Sequence, residues 1–176
     1  MLLPKGYCSA GDTLINKIKT PFFTSTGIVG AIIILLGFTQ DNAQLYYVCG
    51  STLLLLTAIF FNSTYFMALE LILLAGHGAM LLGIGPIIQV VLPILLCLQL
   101  LVYYYLSDQL GNVFRIIGIV GIALLSIGFS YPYTGLFFVG SLCIALYAFY
   151  NVYNGKPIAL IWAILNLFFA FATARL

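Results

Sequence analysis

The sequence predicts an all-α integral membrane protein, with seven transmembrane helices arranged as two parallel three-helix repeats joined by a linker helix. Three observations carry that prediction. Of the 176 residues, 64% are hydrophobic and 6% charged, and the mean hydropathy is +1.19. A soluble domain keeps about 25% charged residues to face water, so lipid must be the main solvent of this chain. Polar or Gly/Pro breaks then divide it into seven apolar segments, each near the roughly 20 residues that a spanning helix needs. Finally, the line "TGIVGAIIILLGF" at residues 26–38 returns as "IGIVGIALLSIGF" at residues 117–129.

The elements follow in order. The first twenty residues, "MLLPKGYCSAGDTLINKIKT", lack the long apolar core of a secretory signal. Residues 1–21 read as a cytoplasmic or interfacial segment, with a short amphipathic helix over 11–19. Spans are expected near 22–38, 44–61, 65–83, 86–106, 113–130, 133–151 and 157–174, separated by "TQDNA", "NST", "GIGP", "SDQLGN", "SYPY" and "YNGKP". Barrel strands would alternate polar and apolar residues, whereas "AIIILLGF", "STLLLLTAIFF" and "VVLPILLCLQLL" are apolar on every face. Pro86 marks a helix start and Pro93 a kink within the fourth span. The aromatic run at Tyr103, Tyr104 and Tyr105 fits an interfacial belt.

Charge placement sets the expected orientation. Lys5, Lys17 and Lys19 precede the first span, Arg115 sits at the fourth connection and Lys156 at the sixth, whereas Arg175 follows the last span. The excess of basic residues on one side predicts a cytoplasmic amino terminus, in a bacterial inner membrane or an organelle membrane. Asn62 in "NST" matches a glycosylation acceptor but falls in a very short cytoplasmic turn, so the match reads as chance.

Several function classes are excluded at this level. Six Lys+Arg against four Asp+Glu leave a net charge of +2, too little for a surface that tracks nucleic-acid phosphates. Cys8, Cys49, Cys97 and Cys143 are widely separated, with no CxxC or CxxH spacing, so neither a redox pair nor a metal site is expected. They read as small apolar fillers. No cofactor motif is present, and a homo-oligomer is left open.

The recurrence extends well beyond the two quoted lines. Sliding residues 23–82 onto 114–173 gives 14 identities in 60 positions, seven of them between Phe23 and Phe38, with Gly27, Gly30 and Gly37 in register with Gly118, Gly121 and Gly128. Two copies of three spans joined directly would point in opposite directions across the bilayer, and one extra span restores a common direction. The chain therefore divides into 1–21, a first repeat at 22–83, a linker helix and loop at 84–112, and a second repeat at 113–176. Parallel repeats about an axis along the membrane normal, with a site between them at mid-depth, are a recurring transporter plan.

This three-plus-one-plus-three order, "GIVG" opening the first and fifth spans, and the proline-bearing "GFSYPYTGL" at 128–136 resemble the SWEET and PQ-loop superfamily of small-solute transporters. The PnuC-type vitamin transporters are a more distant likeness. The resemblance covers residues 22–174 and implies alternating access through a central pore, with Asn166 in the place of the second repeat's pore asparagine. The chain departs from that pattern at Gln40, which lacks the preceding proline of a Pro-Gln pair, and at Ala75, which aligns with Asn166.

Four polar or aromatic side chains inside apolar spans are the site candidates. Glu70 and His77 lie i and i+7 in the third span, on one helical face about two turns apart. A charge retained at mid-bilayer usually faces the bundle interior or a wet cavity, so both are assigned to proton coupling, and His77 also to solute binding. Trp162 and Asn166 share a face at i and i+4 in the seventh span, the indole as a stacking wall and the amide as donor and acceptor. They complete the expected substrate-binding set. Gln89 and Gln99 read as links between helices.

The expected function is thus a transporter of a small polar solute, with lipid and solute as partners and no catalytic residue assigned. The alternatives are a membrane-embedded enzyme using Glu70 and His77 on a lipid, and a non-catalytic membrane subunit. No Ser-His-Asp set or HExxH motif supports the enzyme.

Overall fold

Apolar runs in lipid must satisfy every backbone polar group within themselves, and here they do so as helices. The computed structural model describes residues 10–131 and 133–174. It contains α1 (Ala10–Gly37), α2 (Ala43–Phe60), α3 (Thr64–Leu81), α4 (Pro86–Leu106), α5 (Val113–Ser130), α6 (Thr134–Tyr153) and α7 (Leu160–Thr173), with a 3-10 turn, Pro157–Ala159, leading into α7. No strand occurs among the described residues.

Six helices are long and apolar enough to cross a membrane, and α7 is not. The seventh apolar helix, Pro157–Thr173 with its leading 3-10 turn, is shorter than the other six. The last apolar segment is helical but has only 14 α-helical residues, about 21 Å at 1.5 Å per residue. Its first turn is spent as 3-10 helix, because the chain has to restart at Pro157 after the left-handed Gly155. The short helix expected at 11–19 is likewise not separate. It runs on into α1 through Pro21, where a proline forgoes one backbone hydrogen bond without ending the helix. The expectations for Lys5, Cys8 and Arg175, and for the proline of "GFSYPYTGL", lie outside the described residues.

Four helices stop by the same device. After α2, α3, α4 and α6 one residue turns left-handed, at Asn62, Gly83, Asp108 and Gly155. The next N–H then reaches back five residues, as in Ser63 to Ala58 O (3.0 Å) and Lys156 to Asn151 O (3.0 Å). These backward bonds use up orphan carbonyls at the helix ends, so the chain can reverse within a few residues.

Short turns make the helices run up and down. α2 packs between α1 and α3, α6 between α5 and α7, α1 meets α7 and α3 meets α5, while α4 lies outside against α3 and α5. The six helices other than α4 thus close into a ring, and exchanging α1, α2, α3 for α5, α6, α7 leaves the neighbours unchanged. Glycines set the closest seams. A Cβ on Gly50 would come within 2.7 Å of Gly30 O, and one on Gly140 within 3.0 Å of Gly121 O and 2.7 Å of Leu125 N.

Leu54, Ile122, Ile144 and Trp162 lie in the core, while Leu56, Ile59, Val102 and Phe168 face outward. Outward apolar faces on every helix suit lipid. Lys19, Arg115 and Lys156 all fall at the end of the bundle that holds the α2–α3, α4–α5 and α6–α7 connections, called here the basic end.

Candidate functional site

The third helix supplies the ionisable groups, and its neighbours supply what they touch. Glu70 and His77 are 1% and 2% exposed, and both face the middle of the ring. There they line a small, largely enclosed cavity of about 20 Å³, together with Ser51 and Tyr47 of α2, Phe129 of α5 and Asn166 of α7. That volume admits about one water molecule.

Trp162 Nε1 donates to Glu70 Oε1 at 2.7 Å, across 92 residues of sequence. Glu70 Oε2 is sealed and has no partner. Asn166 Nδ2 donates to Trp162 O at 2.9 Å, which fixes the amide on the same helix and leaves its oxygen unspent. Each described cationic side chain is at the basic end, so Glu70 has no countercharge in the ring. A carboxylate in that position is expensive unless it carries a proton or shares its cavity with a polar guest.

Aromatic rings close the cavity on both sides. Toward the far end, the His77 ring lies 4.8 Å from that of Tyr47 and 4.2 Å edge-on from that of Phe129. His77 Nδ1 bonds Gln44 Oε1 at 2.8 Å. With an amide oxygen as acceptor, Nδ1 carries the proton. Toward the basic end, Trp162 stacks on Phe66 at 4.4 Å, and the Tyr65 ring lies tilted against that of Tyr147 at 4.1 Å. Tyr65 OH also donates to Gly118 O at 2.8 Å, which ties α3 to α5.

Glu70, His77 and Asn166 therefore meet at one cavity. Trp162 is beside it but is not an open wall: its ring is 0% exposed, one face lies on Phe66, and its N–H is given to Glu70. Gln89 Nε2 bonds Ile84 O in the turn before α4, and α4 is joined to α5 there by the Gln89 backbone O, which accepts from Ser130 Oγ. Gln99 instead lies on the exposed outer face of α4. Among the described residues, no cluster of three His, Cys, Asp or Glu could hold a metal ion.

Sequence reasoning missed Ser51, Gln44 and Tyr47. A signal for the first was present, because Gly50-Ser51 recurs as Gly140-Ser141. The recurrence is one residue out of step with the ungapped slide, which hides it. Ser141 Oγ is fully buried and has no hydrogen-bond partner, so the second serine keeps a polar group in the helix core just as Ser51 does.

A larger cavity, about 630 Å³, lies elsewhere, as a groove between α1 and α7 lined by Ile28, Ile32, Ile161, Ile164 and Phe168. Its lining is apolar and it opens on the outer surface, which is the chemistry of a lipid chain rather than a polar solute. No family model, curated protein or solved structure matches this chain.

Proposed function

We propose that this protein is a membrane transporter that moves a small polar solute by alternating access through the cavity between two three-helix repeats. One observation carries the reading. A carboxyl, an imidazole, a hydroxyl and an amide converge about midway along the helices, in a cavity plugged by aromatic rings on both sides. With room for about one water, the cavity is narrow and largely enclosed, which suits an occluded intermediate. Opening either plug would widen it toward one face alone.

The ring supports the repeat reading. Each half has the same neighbours, and each packs its first two helices through a glycine pair, Gly30 with Gly50 and Gly121 with Gly140. The two halves can rock against each other where they meet, at α1 with α7 and at α3 with α5. Ile34 and Leu125, aligned by the sequence repeat, both line the cavity. The likeness to SWEET and PQ-loop proteins points to the same mechanism.

Within this reading Asn166 and His77 bind the solute, and Glu70 and His77 exchange protons as water reaches them from alternate sides. Trp162 holds Glu70 in place and meets the solute once the Phe66 stack opens. The basic end faces the cytoplasm, following the placement of its charges.

The test is uptake by purified protein in liposomes, over a panel of labelled sugars, amino acids, nucleosides and vitamins, with and without an imposed pH gradient. Saturable uptake of one class is expected. It should be lost in His77→Ala and Asn166→Ala with folding intact, and flux unchanged in both variants would remove the site. No uptake above empty liposomes by folded protein would remove the transport reading itself.

A further inference from the structure

A second cavity, of about 70 Å³, opens at the basic end, immediately outside the plug formed by Phe66 and Tyr147. Its lining is almost entirely polar and is biased toward hydrogen-bond donors. Arg115 and Lys156, two of the three described cationic side chains, both line it, and no acidic residue does. The Arg115 guanidinium lies 4.5 Å over the Tyr104 ring and donates through Nη1 to Gln109 O. That grip holds it in place while leaving further N–H donors unspent.

Two hydroxyls add to the set. Tyr104 and Tyr147 are each 3% exposed and line this cavity, yet neither hydroxyl is hydrogen-bonded to any described residue. Arg115 Nε is buried there without a partner, and a guest that accepts hydrogen bonds removes the cost of leaving it so. The first turn of α3, Thr64 to Phe66, forms one wall. Its N-cap residue Ser63 makes no side-chain capping bond, so the first N–H groups of the helix remain unclaimed by it.

From this juxtaposition of cations, free hydroxyls and an uncapped helix start we infer that the cavity is a binding site for one oxyanion group, a phosphate or a carboxylate. About 70 Å³ holds a head group and not a whole metabolite. The far end of the bundle offers nothing comparable, since the one charged side chain described in its connections is the acidic Asp41. The group could arrive on a soluble molecule or on the head of an anionic lipid, because both carry the same oxyanion.

The experiment uses the full chain in nanodiscs of phosphatidylcholine, with inorganic phosphate as one probe and acetate as the other, at ionic strength held constant by chloride. Binding is read from broadening of the phosphate ³¹P resonance and from emission of Trp162, the single tryptophan, whose stacking partner Phe66 lines this cavity. Saturable binding is expected, weakened about tenfold in Arg115→Gln and in Lys156→Gln, for loss of one charge-assisted contact. Arg115→Lys should recover part of it.

A parallel set of nanodiscs containing phosphatidic acid separates the sources. Saturation by the soluble probes in phosphatidylcholine discs identifies a soluble oxyanion. A silent soluble probe, with Trp162 emission altered by phosphatidic acid in the native chain but not in Lys156→Gln, identifies a lipid head group. No saturable response in either set, or equal midpoints in native and Lys156→Gln protein, overturns the site. Lys156 is exposed in a turn, so that variant folds even if Arg115→Gln does not. Binding is read without flux, and its failure leaves the transport test untouched.

Discussion

Glu70 and Trp162 are joined by a 2.7 Å hydrogen bond that is the one side-chain to side-chain hydrogen bond between the two halves of the ring among the described residues. It crosses from α3 to α7 at the cavity itself. The indole N–H therefore does two things, satisfying one carboxyl oxygen and joining α7 to α3.

Removing that donor should cost stability and occlusion together. Trp162→Phe leaves Oε1 buried without its partner, and a loss of about 1–3 kcal/mol is expected in thermal unfolding in detergent. Glu70→Gln keeps an acceptor for the indole and should fold normally, while the response of uptake to a pH gradient disappears. A Glu70→Gln protein whose uptake still follows the gradient would exclude this carboxyl from coupling.

The far-side plug predicts an accessibility change. In a background with the native cysteines replaced, Ser51→Cys should resist a membrane-impermeant thiol reagent, because the cavity is largely enclosed. Adding Gln44→Leu removes the partner of His77 Nδ1 and should raise labelling from the far side by several-fold. Labelling at the same rate in both backgrounds would mean that the His77–Gln44 bond is not part of the closure.

Matched glycine substitutions test whether the two halves are built alike. Gly50→Ala and Gly140→Ala each drive a methyl into a neighbouring backbone, and each should cost about 1–3 kcal/mol as overpacking. Gly78→Ala is the contrasting case, since nothing lies within 4 Å of its added carbon. It should be neutral or stabilising by up to about 1 kcal/mol, through helix propensity. Unequal costs at Gly50 and Gly140 would argue against equivalent seams.

The hydroxyl of Tyr65 ties α3 to the backbone of α5 near the basic-end plug. Tyr65→Phe keeps the ring against Tyr147 and loses only that bond, for an expected cost of about 1 kcal/mol. Under the transport reading it should also speed exchange of the cavity toward the basic end, which Ser51→Cys labelling from that side would register.

Much of the fold could be read from the chain because lipid simplifies the code. The fourth and fifth spans fall at 86–106 and 113–130 in both the sequence reading and the structure, since Pro86 and Asn112 start helices unambiguously there. The last span was harder, because apolar composition does not report whether Pro157 opens an α-helix or a 3-10 turn. At the site, Glu70, His77 and Asn166 were legible because a polar group within an apolar run is conspicuous. Ser51 and Tyr47 were not, since neither residue type is unusual in a spanning helix. Nor could spacing show that Trp162 turns its N–H toward a carboxylate 92 residues away.

The brevity of α7 has a consequence for the surrounding lipid. Counted with its leading 3-10 turn, the segment Pro157–Thr173 is about 27 Å long, a few Å short of a hydrocarbon slab about 30 Å thick, so the leaflets pinch slightly toward this flank, beside the groove between α1 and α7. Such pinching costs a fraction of a kcal/mol per Å and is relieved by shorter acyl chains. The protein should therefore be held most comfortably in thin bilayers, and bilayer thickness becomes a variable that favours or opposes movement of α7 against α1.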